Sequence, residues 1–245
     1  MNQVKKWKKI LLIIVLTVVI IISGGIAYLK SQTYSPTNHA QQVAEQAEDN
    51  SDWLYFPSKD TSKPLIIFYP GALVEPESYS NWAETVAKAG YPVYIVKMPL
   101  DLAILAPNRG EKILAQQPNR DYVIGGHSLG GVMASRFANE HTKKLRGAFF
   151  LASYPDEKGS LADSKIPVLS LTAENDQVLN QEAYKKAKKE LPKTTDYQEI
   201  GGGNHAGFGS YGKQKGDGKS TITDQNQQVA QRLIAWLEEK VHTKD

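Results

Sequence analysis

The sequence predicts an α/β domain, a mostly parallel sheet with helices on both faces, preceded by one N-terminal transmembrane helix. Three observations lead there. Strand-like and helix-like runs alternate from about residue 51 to the end, the order that a parallel sheet with right-handed crossovers requires. Several strand runs are continuously apolar, among them Pro64-Leu-Ile-Ile-Phe-Tyr69, as strands covered on both faces must be. Finally, Asp121 to Gly131 runs from a short apolar strand through Gly126-His-Ser-Leu-Gly130 straight into a small-residue helix.

Charge and composition narrow the function classes. The chain holds 29 basic and 26 acidic residues, but Lys5, Lys6, Lys8, Lys9 and Lys30 lie within its first 30 residues, which contain no acid. Residues 31–245 therefore carry 24 basic against 26 acidic groups, which argues against nucleic acid as a partner. Without cysteine there is no disulfide, thiol nucleophile or thiolate metal site. Neither metal-ligand spacing nor a phosphate-cradling loop is visible, so no cofactor and no metal are expected.

Residues 1–9 form a basic segment read as cytoplasmic. Residues 10–29 are 20 residues without a charge, enough to span a hydrocarbon core as a helix. The flanking lysines orient that end inward and the remainder outward, giving a single-pass membrane protein with its C-terminal domain outside the cytoplasm. A cleaved signal peptide and secretion is the alternative, since the strictly apolar core is only 13 residues and Gly25-Ile-Ala27 suits cleavage. The anchor is preferred because apolar character resumes over Ile26 to Leu29. Residues 30–50 are polar and read as a linker, with a short helix around His39 to Ala47.

Residues 51–245 form the globular domain. Strands are predicted at Trp53 to Phe56, Pro64 to Tyr69, Pro92 to Val96, Tyr122 to Gly125, Gly147 to Ala152, Pro167 to Ala173 and Tyr197 to Ile200. A helix follows Pro76 and stops at Gly90; others cover Asp101 to Gln116, interrupted at Pro107, Leu129 to His141, Tyr184 to Leu191, and from near Asp224. The last shows a capping pattern at Asp224 and Gln227 and an apolar stripe through Val229, Leu233 and Leu237. Only about a dozen residues separate Leu151 from Ile166, close enough to ordinary loop lengths that no cap domain fits there. The site is expected to be open.

A serine between two glycines on a strand-to-helix turn is a nucleophile elbow: the sharp turn projects the Ser128 hydroxyl, and the glycines let the two backbones pass. Such a hydroxyl needs a base. His39 lies in the linker, His127 points away as the elbow's second residue, His141 ends a helix, and His242 is in the tail. His205, in Gly201-Gly-Gly-Asn-His205, falls just past the last strand, where parallel sheets place their sites. The base needs a carboxylate. Asp176 directly follows a buried strand and is preferred; Asp156 is the runner-up, and Glu174 lies too early to turn towards His205. Oxyanion donors are expected from the backbone amides of Leu129 and Ala72. Leu73, His127, Phe208 and Tyr211 are candidate substrate-binding residues, and the glycine-rich loop from Ala206 to Gly218, with Asp217, is expected to shape the pocket.

The stretches Phe68 to Tyr79, Ile95 to Pro99, Val123 to Gly131 and Gly203 to Gly212 resemble the α/β-hydrolase superfamily. More narrowly they are similar to small lidless bacterial serine hydrolases near the dienelactone-hydrolase branch, where Ser128 stands in place of the cysteine of dienelactone hydrolases proper. The resemblance implies an α/β-hydrolase fold without a cap and cleavage of an ester-type bond through an acyl-enzyme on Ser128, with a small-molecule or lipid-like acyl ester as substrate. Acyl transfer to a cell-envelope acceptor, or a catalytically inactive binding protein of the same fold, are the alternatives.

Overall fold

The structure is a computed structural model that describes residues 2–241; the tail with His242 lies outside the described residues. The chain divides into two units, Met1–Thr33 and Tyr34–Asp245. The first is helix α1 (Asn2–Ser31). Within it Ile10–Ser31 is 22 residues of mean hydropathy 3.1, long and apolar enough to cross a membrane, a test that a signal sequence also passes. Thr17 Oγ1 turns back on the helix and donates to the Ile13 carbonyl at 2.9 Å, as helical threonines commonly do.

The second unit begins earlier than the sequence suggests. The expected linker over residues 30–50 is corrected: from Tyr34 the chain is packed. Helix α2 (Asn38–Ala44) is capped by Thr37, whose Oγ1 accepts from Ala40 N, and it buries Ala40, Val43 and Ala44. Those three small apolar residues share one helical face but are diluted by polar neighbours, so composition hid them. Strand β1 (Glu48–Asp49) then pairs antiparallel with β2 (Trp53–Phe56), across a turn in which Asn50 Oδ1 accepts from Asp52 N and Trp53 N at 2.8 and 3.0 Å.

The remaining elements are β3 (Leu65–Tyr69), α3 (Ser80–Lys88), β4 (Val93–Val96), α4 (Glu111–Gln116), β5 (Tyr122–His127), α5 (Leu129–Glu140), β6 (Leu145–Leu151), β7 (Val168–Ala173), α6 (Gln181–Ala187), β8 (Asp196–Ile200) and α7 (Gln225–Trp236). The helix expected over 101–116 is mostly absent. Two short 3₁₀ turns, Pro99–Asp101 and Ala103–Leu105, precede α4, because Leu100 and Asp101 adopt φ of 52° and 55°, incompatible with a right-handed helix. At α7, Asp224 stands at the N-cap without a side-chain capping bond.

One sheet runs in the order β1-β2-β4-β3-β5-β6-β7-β8, antiparallel at β1/β2 and β2/β4 and parallel from β4 through β8. Residues alternate between its faces, as pleating requires. Ile66, Phe68, Val123 and Phe149 meet α2, α3 and α7 on one side. Leu65, Ile67, Tyr69 and Ile124 meet α5 and Ile113 of α4 on the other. Phe68 packs edge-on against Trp82 with centroids 4.8 Å apart, and burying each such ring stabilises the fold by about 2–3 kcal/mol. No cap interrupts β6 and β7; the connection holds a single short 3₁₀ turn, Glu157–Gly159.

This topology locates a site. The chain leaves β3 for β4 on one side, then crosses back to place β5 on the other. The strand order reverses at β3/β5, the switch point at whose carboxyl ends open parallel sheets place their binding crevices. Non-glycine residues with left-handed backbone gather at that edge: Leu73 after β3, Leu100 and Asp101 after β4, Ser128 after β5, Ala152 after β6. Strained backbone of this kind costs about 1–3 kcal/mol per residue and persists where function holds it.

Candidate active site

Ser128 follows β5 with φ 51° and ψ −125°. Its amide donates to the Leu151 carbonyl at 3.0 Å, and its carbonyl accepts from Ser153 Oγ at 2.6 Å. The elbow is therefore fastened to β6. Its glycines are steric necessities. A Cβ on residue 126 would stand 2.6 Å from Gly131 N, and one on residue 130 would overlap the carbonyl oxygens of Tyr69 and Pro70. Leu129 is the first residue of α5, so its amide has no preceding turn to bond. The Ala72 amide, beyond β3, makes no hydrogen bond among the described residues.

Asp176 and His205 meet. Asp176 Oδ2 lies 2.8 Å from His205 Nδ1, with both side chains almost wholly buried. The other carboxylate oxygen, Oδ1, accepts from Val178 N and Leu179 N, each at 2.8 Å, which fixes the acid's orientation. His205 Nε2 is buried without a hydrogen-bond partner, so Ser128 Oγ is not bonded to it in this structure. The alternative acid is otherwise engaged: Asp156 is gripped by Arg136 through Nε and Nη2, and this ion pair holds its carboxyl below the ordinary value. Glu174 accepts from Gly202 N at 2.7 Å and braces the loop before His205.

Three of the four candidate substrate-binding residues lie inside the protein. Phe208 is fully buried against His127, Tyr211 is buried with its hydroxyl on Gln214 at 2.9 Å, and His127 is 1 % exposed. Only Leu73, half-buried beside Ala72, faces outward. A cavity of about 630 Å³ is lined by residues such as Asn81, Asn204, Lys213 and Asn226. Ser128, Asp176 and His205 are not in its wall, so volume alone would misplace the chemistry.

His127 is a second buried imidazole beside the first, with ring centroids 4.5 Å apart. Burial, and then the neighbouring His205, push its pKa well below the usual 6.5. The unfolded chain therefore takes up a proton near pH 6.5 that the folded chain refuses. Stability is whole above that pH and falls by about 1.4 kcal/mol per pH unit below it, until the folded pKa is reached. Urea midpoints at pH 7.5 and 5.5 measure this limb. It is expected to be shallower by about one proton's slope in a His127→Gln variant.

Several further residues hold the site; Asp217 falls in the loop expected to shape the pocket, while Gln225, Ser153 and Tyr79 gave no signal in sequence. Asp217 accepts from His205 N at 3.3 Å, Ala206 N at 2.9 Å and Gln177 N at 3.4 Å, clamping the acid and imidazole loops together. Gln225, buried, brackets Asn204 by accepting from its amide at 3.0 Å and donating to its carbonyl at 2.8 Å. Ser153 and Tyr79 complete the set. Each acts across 8 or more residues of chain, beyond any local pattern. Among the described residues, no group of three His, Asp or Glu side chains stands positioned to hold a metal ion.

A sequence profile described as the Alpha/beta hydrolase family matches residues 65–229, about two thirds of the chain, from β3 to α7. The chain belongs to the alpha/beta hydrolase family. Comparison with curated proteins gives no match. Among solved structures, this alpha/beta hydrolase is similar to a dienelactone hydrolase from Anabaena variabilis ATCC 29413, at 14% identity and TM-score 0.58 over 78% of this chain and 93% of that one. It is also similar to the esterase domain of a Rhodothermus marinus protein, at 14% identity and TM-score 0.59 over 77% and 92%. A third is Est1E from Butyrivibrio proteoclasticus, at 15% identity and TM-score 0.60 over 80% and 98%. Likeness at these identities speaks for a shared fold.

Proposed function

We propose that this alpha/beta hydrolase is a membrane-anchored serine esterase whose domain lies outside the cytoplasm. The observation that carries the reading is the buried Asp176–His205 pair, packed against the residue that precedes the elbow serine, with His205 Nε2 lacking any partner. A buried unpaired ring nitrogen is costly and points to a partner supplied during function.

In the proposed reaction Ser128 Oγ attacks the ester carbonyl and its proton passes to His205 Nε2. His205 Nδ1–H keeps its bond to Asp176 Oδ2, which holds the tautomer and stabilises the imidazolium. The carbonyl oxygen takes the negative charge against the amides of Ala72 and Leu129 and the positive end of α5. Collapse expels the alcohol, which receives the proton from His205 and leaves an acyl-Ser128. Water then repeats the sequence and releases the acid. Bonds between catalytic groups that are long at rest commonly tighten when substrate arrives, which accounts for the open Ser128–His205 contact. The anchor and its orientation rest on α1 and the lysines that precede its apolar run.

The test uses a fluorophosphonate probe. Phosphorus is expected to bond to Ser128 Oγ as fluoride leaves, adding the probe's mass to the peptide that contains residue 128. Heat-denatured protein should not react. Absence of the adduct from folded protein, or its appearance on another residue, overturns the reading.

A further inference from the structure

Two buried polar side chains have no part in the reaction as written. Gly71 N donates to the Tyr79 hydroxyl at 2.9 Å, and the same hydroxyl lies 2.9 Å from His127 Nδ1. Since the hydroxyl oxygen already accepts from Gly71, its own proton goes to Nδ1, and the imidazole carries its hydrogen on Nε2. That Nε2 is buried and has no hydrogen-bond partner.

From this we infer that Tyr79 and His127 are positioning residues, which set the Gly71–Ala72 loop and the His205 loop in place against the elbow. The inference rests on the serine-esterase reading above. His127 is bonded covalently to Ser128, through Tyr79 to the residue before Ala72, and lies ring against ring with His205. One buried residue thus adjoins Ser128 in the chain, reaches the Gly71 loop through Tyr79 and packs its ring on His205. Contact this close demands glycine at 71, where a Cβ would stand 2.8 Å from His127 Nδ1 and 3.1 Å from the Tyr79 hydroxyl. Space filling alone does not account for the pair. A phenylalanine and a leucine would occupy the same region without burying a hydroxyl and an imidazole, both of which lose hydration on burial. Both residues are essentially without exposure, so neither is a surface accident.

The experiment separates positioning from stability with four variants and p-nitrophenyl acetate. Tyr79→Phe and His127→Leu are each expected to lower kcat by about 10- to 100-fold with KM within about twofold, since small misplacements of reacting groups act on the chemical step. The double variant should be no worse than the poorer single, because both changes cut the same chain. His127→Gln keeps an acceptor for the Tyr79 hydroxyl and an amide donor besides, and should recover kcat to within about threefold of wild type. Wild-type kcat in Tyr79→Phe, multiplying losses in the double variant, or a defect in KM alone would overturn the inference. A wild-type protein that neither turns over the ester nor takes the fluorophosphonate removes the esterase reading itself, a distinct outcome that takes this inference with it.

Discussion

On the serine-esterase reading proposed above, Ser128→Ala is expected to lower kcat for p-nitrophenyl acetate by about 10⁴-fold or more, because the acyl intermediate would form on the hydroxyl that alanine lacks. The fold should be unaffected. The Ser128 backbone is held by Leu151 and Ser153 through main-chain atoms, and alanine keeps those bonds. A residual rate above about a hundredth of wild type would place the nucleophile elsewhere. Ser128→Gly sharpens the comparison. Glycine tolerates φ 51° without steric cost, so this variant should be equally inactive yet about 1 kcal/mol more stable. A protein that strains its backbone to present a hydroxyl gives up stability at the site of action, and the melting curve of Ser128→Gly reads that quantity directly.

The second large effect is on folding. Gly130→Ala is expected to destabilise the domain by about 3–5 kcal/mol, measured as a fall in the urea midpoint or a loss of soluble protein. The added methyl would meet the carbonyl oxygens of Tyr69 and Pro70, which are backbone and cannot swing aside. α5 would have to lift away from β3, opening the crevice and displacing Leu129. Gly125 differs in kind: its neighbour would be the ring of Phe149, a side chain that can partly yield. A Gly130→Ala variant as stable as wild type would show that α5 does not lie so close to β3.

Much of the architecture was legible because its signals are local. Continuous apolar runs marked β3, β4, β5, β6 and β7, and Gly90, with φ 107°, closed α3 where a helix stop was read. Asp176 and His205 came from elimination and chain order, and the structure hydrogen-bonds them. What escaped depended on tertiary context. The short helix expected around His39 to Ala47 is present over 38–44, but its packing on the core escaped, because Ala40, Val43 and Ala44 are too few apolar residues to mark a buried face. The segment after β4 has helical composition but is bent by Leu100 and Asp101, whose backbone answers to Leu73 N on the Asp101 carbonyl at 2.8 Å. Phe208 and Tyr211 sit in a loop rich in glycine, which reads as surface. They are buried because Asn226 Nδ2 donates to the carbonyls of Gly207 and Gly209 at 3.0 and 2.9 Å and draws the loop inward.

The short passage between β6 and β7 has a chemical consequence. With no roof over the crevice, an acylated serine would stand in contact with bulk solvent from the moment it formed. Water then becomes the default acceptor, and a competing alcohol or amine would succeed only if the protein held it close enough to outrun dilution.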